Sequence, residues 1–127
     1  MVSWLEMESR HSLGKSFKFA FDGLKTAFLK GRNFRIQVAI GIAAVAGACF
    51  FKFTIPEWLG LVIVITLVLI LELVNTSVEE IVNIVSPEKR EGAKVAKDVA
   101  AATVLVASIG SILVGVLLFL PKILALL

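Results

Sequence analysis

Residues 58–83 read WLGLVIVITLVLILELVNTSVEEIVN, and this stretch decides what kind of protein the chain is. Trp58–Leu71 contains no charged residue, and the helical pattern continues to about Val85. Roughly 20 apolar residues cross a bilayer core of about 30 Å. The stretch is therefore expected to be a membrane span, from about 58 to 85. Its second half carries Glu72, Asn75, Glu79 and Asn83, spaced i, i+3, i+7 and i+11, which is one stripe of an α-helix. Glu80 points off that stripe. Carboxylates at membrane depth are costly and by default mark function. The bland alternative is polar glue, with Asn75, Thr76 and Ser77 hydrogen-bonding between helices.

Two further apolar blocks flank this one. The first covers about 36–53, interrupted only by Gln37 and Lys52, and the last covers about 98–120 before Pro121. The whole chain of 127 residues is 58% hydrophobic and 18% charged, well beyond a soluble domain in the first figure and below it in the second. An all-α membrane protein with three spans in a single membrane domain follows. The lone Cys49 excludes an intrachain disulfide, and the lone His11 lacks the partners a zinc site needs. The formal charge of +3 is carried by residues flanking the spans, which argues for membrane orientation rather than nucleic-acid binding.

Seven basic residues precede the first span (Arg10, Lys15, Lys18, Lys25, Lys30, Arg32, Arg35), and four lie at 86–97 (Lys89, Arg90, Lys94, Lys97). The positive-inside rule places the N-terminus and the 86–97 loop in the cytoplasm, with 52–57 and the C-terminus opposite. The first 35 residues hold no apolar run of the length a cleavable signal needs. Instead Phe17, Phe21, Leu24 and Phe28 share a helical face opposite Lys18, Asp22 and Lys25. This predicts an amphipathic helix over about 13–31, lying on the inner membrane surface. In the third span Ala107, Ser111 and Gly115 form a small-residue stripe suited to close helix packing, with Gly41 and Gly47 a weaker version in the first.

Counting about 20 residues inward from Trp58 puts the inner hydrocarbon edge near Val78, with Glu72 about 9 Å inside it. Counting back from Pro121 brings Lys97 and Asp98 to a similar level. Glu72, Asn75, Glu79, Lys97 and Asp98 are thus expected at one depth. Paired carboxylates without His or Cys suit a hard cation such as Mg²⁺, and a lysine suits phosphate. Together they suggest phosphoryl transfer to a lipid at the membrane surface. LGKS at 13–16 echoes the end of a P-loop, but Ser9 stands where the first glycine belongs and no strand precedes it. A small proton-coupled transporter would also use a membrane glutamate, although nearer the midplane. A structural subunit is the third possibility.

ELVNTSVE (72–79), followed by AKDVAAATVL (96–105), resembles the prokaryotic diacylglycerol kinase family, which includes the undecaprenol kinases of Gram-positive bacteria. The similarity runs over about residues 13–122, through SFKFAFDGLKTAF, RNFRIQ and the closing FLPK. The resemblance implies a homotrimeric lipid kinase of the bacterial cytoplasmic membrane, using Mg²⁺ and ATP, with active sites between subunits. It gives Glu72 the role of general base, Glu79 that of metal ligand, and Asn75 a supporting place beside the lipid. Glu79, Lys97 and Asp98, with the loop Glu88–Arg90 (Glu88, Lys89, Arg90), would meet the nucleotide. The family pattern has acidic residues where this chain has Gly31 and Asn83, and an arginine near Ser12, where Arg10 and Lys15 are the neighbouring cations. LLFLPKI (117–123) and the SPE loop at 86–88 resemble the polyprenol branch, which favours undecaprenol over diacylglycerol.

Overall fold

The computed structural model describes residues 12–127. They form four helices: α1 (Leu13–Lys30), α2 (Arg32–Phe50), α3 (Ile55–Val85) and α4 (Glu91–Leu126). The chain divides into two compact units, one ending at Arg32 and one spanning Asn33–Leu127.

In the first unit, α1 starts at Ser12, whose Oγ accepts the Lys15 backbone N–H at 3.3 Å. A hydroxyl here satisfies one of the donors that a helix start leaves over. Residues 13–16, the P-loop echo, are simply the first turn. Phe17, Phe21, Leu24 and Phe28 are all exposed along one face. The helix closes at Gly31, whose N–H reaches Ala27 O at 2.8 Å, in extended backbone (φ −95°, ψ 100°). Arg10 and His11 lie outside the described residues.

In the second unit, three helices are long and apolar enough to cross a membrane. Their bounds differ from the sequence expectation, each for a local reason. The first span begins at Arg32 instead of 36 and stops at Phe50 instead of 53. It stops because Lys52 takes a left-handed backbone conformation (φ 53°). Lys52 N–H then donates to Cys49 O at 3.2 Å and Phe53 N–H to Ala48 O at 3.1 Å. That pair of bonds is a Schellman closure. It folds Phe53 back onto the fully buried Ala48, and both join Leu61 in the apolar cluster at this end of the molecule. The Phe119 ring packs on Phe53 with centroids 4.9 Å apart.

The second span starts at Ile55 instead of 58. Glu57 Oε1 accepts from both the Thr54 backbone N–H (3.0 Å) and the Thr54 hydroxyl (2.9 Å). Pro56 occupies the first turn, where a missing N–H does no harm. The 31 residues of α3 rise about 46 Å, more than a hydrocarbon core is thick.

The third span departs most. It begins at Glu91, so the expected 86–97 loop shrinks to five residues, 86–90, and Lys94, Lys97 and Asp98 are helical. Nor does it end at Pro121; it continues to Leu126. Proline removes one donor, that for the Leu117 carbonyl. Membrane helices tolerate such a loss where neighbouring groups compensate.

α3 and α4 form the main packed pair. Their antiparallel register is fixed by three contacts along the pair. Lys122 Nζ meets Glu57 Oε1 at 3.1 Å, Ser111 Oγ approaches Val64 O at 3.5 Å, and Lys97 Nζ meets Asn83 Oδ1 at 2.6 Å. Ser111 and the buried Ala107 of the small-residue stripe lie at this interface. α2 joins through its glycines. A Cβ on Gly41 would stand 3.2 Å from Ile65 Cγ2, and one on Gly47 would stand 3.0 Å from the Phe119 ring.

A lysine in left-handed backbone costs about 1–2 kcal/mol relative to the right-handed region, which glycine avoids. Lys52→Gly is expected to raise stability by about 1 kcal/mol, because the closure at Phe53 is kept and the strain is relieved. Thermal unfolding in detergent checks this, and a lower midpoint would count against the closure.

Candidate functional site

The polar stripe of α3 falls into two settings. Glu72 and Asn75, one helical turn apart, are buried, at 4% and 8% exposure. Glu79 and Asn83, further along the same face, are exposed. The Asn75 amide links the two settings, since its Nδ2 donates to Glu79 Oε1 at 3.3 Å. With that bond made, Asn75 Oδ1 is left buried with no partner among the described residues. Among the described residues, Thr76 and Ser77 make no hydrogen bond between helices. Their hydroxyls donate back to Glu72 O and Leu73 O within α3, both at 3.0 Å.

Glu72 and Asn75 line a cavity of about 310 Å³ whose other walls come from α2 and α4. Its other polar residues are Asn33 and Gln37 from α2 and Ser108 from α4. No ion pair or hydrogen bond reaches the Glu72 carboxylate among the described residues. A buried carboxylate without a cation is a group held for something that enters. The cavity presents acceptors from Glu72 and Asn75, which a hydroxyl donor would suit.

A second cavity, of about 570 Å³, lies where α3 passes into α4. It is lined by Asn83, the short loop 86–90 and the first turns of α4 with Lys94, Lys97 and Asp98. Here the cations differ in how they are held. Arg90 is paired with Glu88 at 3.0 Å and Lys94 with Asp98 at 2.6 Å, both in the open. Such exposed pairs contribute little and exchange partners readily. Lys97 is held by a neutral acceptor, Asn83 Oδ1, so its charge is not cancelled. Lys89 has no ion-pair partner among the described residues. An open cavity with uncancelled ammonium groups can take a phosphate chain.

The expected single-depth cluster is therefore resolved into two groups. Lys97 lies opposite Asn83, eleven residues beyond Glu72, which is about 16 Å along the axis. It lies about 6 Å beyond Glu79. Asp98 faces Lys94, not the α3 carboxylates. Gly31 ends α1, and Lys15 sits in the first turn of α1. Glu88, Lys89 and Arg90 line the second cavity as a group. Sequence reasoning left out Asn33, Gln37 and Ser108. The one visible signal was Gln37, a lone amide in the first apolar block.

What the two cavities share is α3, a helix long and apolar enough to cross a membrane, which brings Glu72 and Asn75 to one and Asn83 to the other. Over residues 18–119 the chain matches the family model of prokaryotic diacylglycerol kinase. It belongs to that family. It is 40% identical over 112 residues to a diacylglycerol kinase of Synechocystis, covering 87% of this chain and 64% of that protein's length. It is 34% identical over 108 residues to the undecaprenol kinase of Bacillus subtilis, covering 85% of this chain and 88% of the other. Similarity to the Escherichia coli diacylglycerol kinase is lower, 28% over 99 residues.

Asn75 is a weak point for stability, since an unsatisfied buried acceptor costs about 1–3 kcal/mol. Asn75→Leu removes the orphan together with one hydrogen bond to an exposed partner. The thermal midpoint in detergent is expected to stay level or rise. A marked fall would mean that Oδ1 has a structural partner.

Proposed function

We propose that the protein is a lipid kinase of the bacterial cytoplasmic membrane that transfers the γ-phosphoryl group of ATP to a membrane lipid alcohol. The observation that carries this reading is the unpaired, buried Glu72 carboxylate in a cavity at hydrocarbon level. It shares a helix face with Glu79 and with Asn83, which borders the cation-lined cavity. Lipid and nucleotide need different surroundings, and α3 offers both on one face.

In this reading the lipid hydroxyl enters the Glu72 cavity and donates its hydrogen bond to the carboxylate. Glu72 takes that proton as the oxygen attacks phosphorus, and ADP leaves with the electron pair of the broken P–O bond. A general base must be within hydrogen-bond reach of the proton it removes. Lys97, positioned by Asn83, and Lys89 hold nucleotide phosphates, while Arg90 and Lys94 can exchange their exposed partners for the same task. Asn75, which lines the lipid pocket, holds the Glu79 carboxylate one turn further along α3.

Mg²⁺ fits the donor set present. Glu79 is an exposed, oriented carboxylate, and Mg²⁺ is usually held by one or two carboxylates together with substrate phosphates. Glu79 would hold it, and once bound it would neutralise charge developing on the phosphates. With an amide instead of a carboxylate at Asn83, Glu79 would carry more of that task alone.

The positive-inside rule supports a cytoplasmic placement for the N-terminus and the 86–90 loop. A homotrimer with sites between subunits belongs to this reading, since three membrane-spanning helices are few to enclose the Glu72 carboxylate. Purified protein in detergent with Mg²⁺ and labelled ATP should phosphorylate diacylglycerol, undecaprenol or both. Label on neither lipid would sink the kinase reading. Glu72→Gln should lower kcat by about 10²-fold or more, the scale of a lost general base, with little change in the KM for ATP. Glu79→Gln should instead raise the KM for Mg-ATP.

A further inference from the structure

Glu72 enters its cavity with no cation of the chain beside it. No lysine or arginine is among the residues that line the cavity. Lys97, opposite Asn83, stands about 16 Å further along the helix axis. Two of the lining side chains are more than nine-tenths buried, Glu72 at 4% exposure and Asn75 at 8%. Asn75 Oδ1 has no partner among the described residues, because only the other end of the amide is engaged, by Glu79. A lone carboxylate and an unmatched carbonyl oxygen, both buried, are each unfavourable. One ligand that is positive and accepts oxygen lone pairs would relieve both.

The rest of the polar lining supplies more oxygen. Gln37 and Ser108 are half-buried, and neither has a hydrogen-bond partner among the described residues. Asn33 is exposed, so the polar lining reaches the surface. Carboxylate, amide and hydroxyl oxygens from three helices are thus available around one space of about 310 Å³. Oxygen donors without nitrogen or sulfur select a hard cation. Charge then decides the valence. With one carboxylate, a monovalent ion brings the site to neutrality, whereas a divalent ion would leave net positive charge at hydrocarbon level. Among the described residues there is no group of three His, Cys, Asp or Glu able to hold a metal ion of higher charge.

We propose that this cavity binds an alkali-metal cation, held by the Glu72 carboxylate and Asn75 Oδ1, which neutralises the carboxylate until a lipid alcohol displaces it. Oxygens of Gln37 and Ser108 complete the ion's surroundings. The ion and the lipid hydroxyl use the same carboxylate lone pairs, so each excludes the other. Binding of the ion stands apart from the kinase reading above; its displacement by lipid rests on that reading.

The first arm of the test heats the full chain in detergent, without Mg²⁺, ATP or lipid, in NaCl, KCl or choline chloride at fixed pH. Between about 5 and about 500 mM, Na⁺ or K⁺ should raise the thermal midpoint by about 3 °C or more beyond choline. Glu72→Gln and Asn75→Leu should each abolish that difference, and Glu79→Gln should leave it intact. In the second arm, NaCl or KCl should raise the KM for the lipid alcohol severalfold over choline chloride, with the KM for ATP unmoved. Equal midpoints in the three salts would overturn the site, and are the outcome if a proton alone neutralises Glu72. Survival of the difference in Glu72→Gln or Asn75→Leu, or its loss in Glu79→Gln, would put the ion elsewhere and overturn the assignment. A lipid KM indifferent to the cation would overturn the displacement. If no lipid is labelled, the kinase reading falls, while the midpoints still decide the ion site. Both variants nearly preserve side-chain volume, and if one fails to fold the other still reads the site.

Discussion

The antiparallel register of α3 against α4 is the constraint on which the rest depends. It is pinned near both ends. At one, Lys122 and Glu57 pair across the helices beside the Phe53 ring, whose centroid lies 5.8 Å from the ammonium. At the other, Lys97 reaches Asn83. Between them Ser111 rests against the Val64 carbonyl. A slip of one turn, about 5.4 Å, would carry Ser108 away from Glu72 and Lys97 away from Asn83. Both cavities are products of that register. Hydrocarbon cannot enforce it by the hydrophobic effect, since lipid is as apolar as the side chains, so packing and polar contacts must.

Asn83 illustrates how one neutral residue alters local electrostatics. A carboxylate there would neutralise Lys97 and compete with an incoming phosphate. The amide holds the ammonium in place by a hydrogen bond and leaves its charge available. Asn75 has a similar double character, since one end of its amide orients Glu79 and the other is left unmatched. A protein stabilised for its own sake would not retain that oxygen. Sites that bind often tolerate such local cost because the ligand removes it.

Much of this was legible in the chain. The apolar blocks mark three spans, and the i, i+3, i+7, i+11 stripe puts Glu72, Asn75, Glu79 and Asn83 on one helix face. Ends were harder to read. Pro121 looked like a stop because soluble helices usually break there, and the Glu91 start was hidden by the charges that made 86–97 look like a loop. Lys52 ends α2 in a conformation normally left to glycine, which composition does not signal. The comparison with relatives agrees on the family but divides between two lipid names, so substrate choice must come from the site.

The sequence by itself determined the spans, the amphipathic first helix and the carboxylate stripe, because those depend on periodicity within one helix. Only the tertiary structure decided which polar residues share a cavity. Gln37, Glu72 and Ser108 are far apart in the chain, and each looks like a minor blemish in an apolar run. They meet because the close approach at Gly41 and the α3–α4 register bring three separate helices to one place. Sequence spacing encodes a face; it does not encode which face of another helix lies opposite.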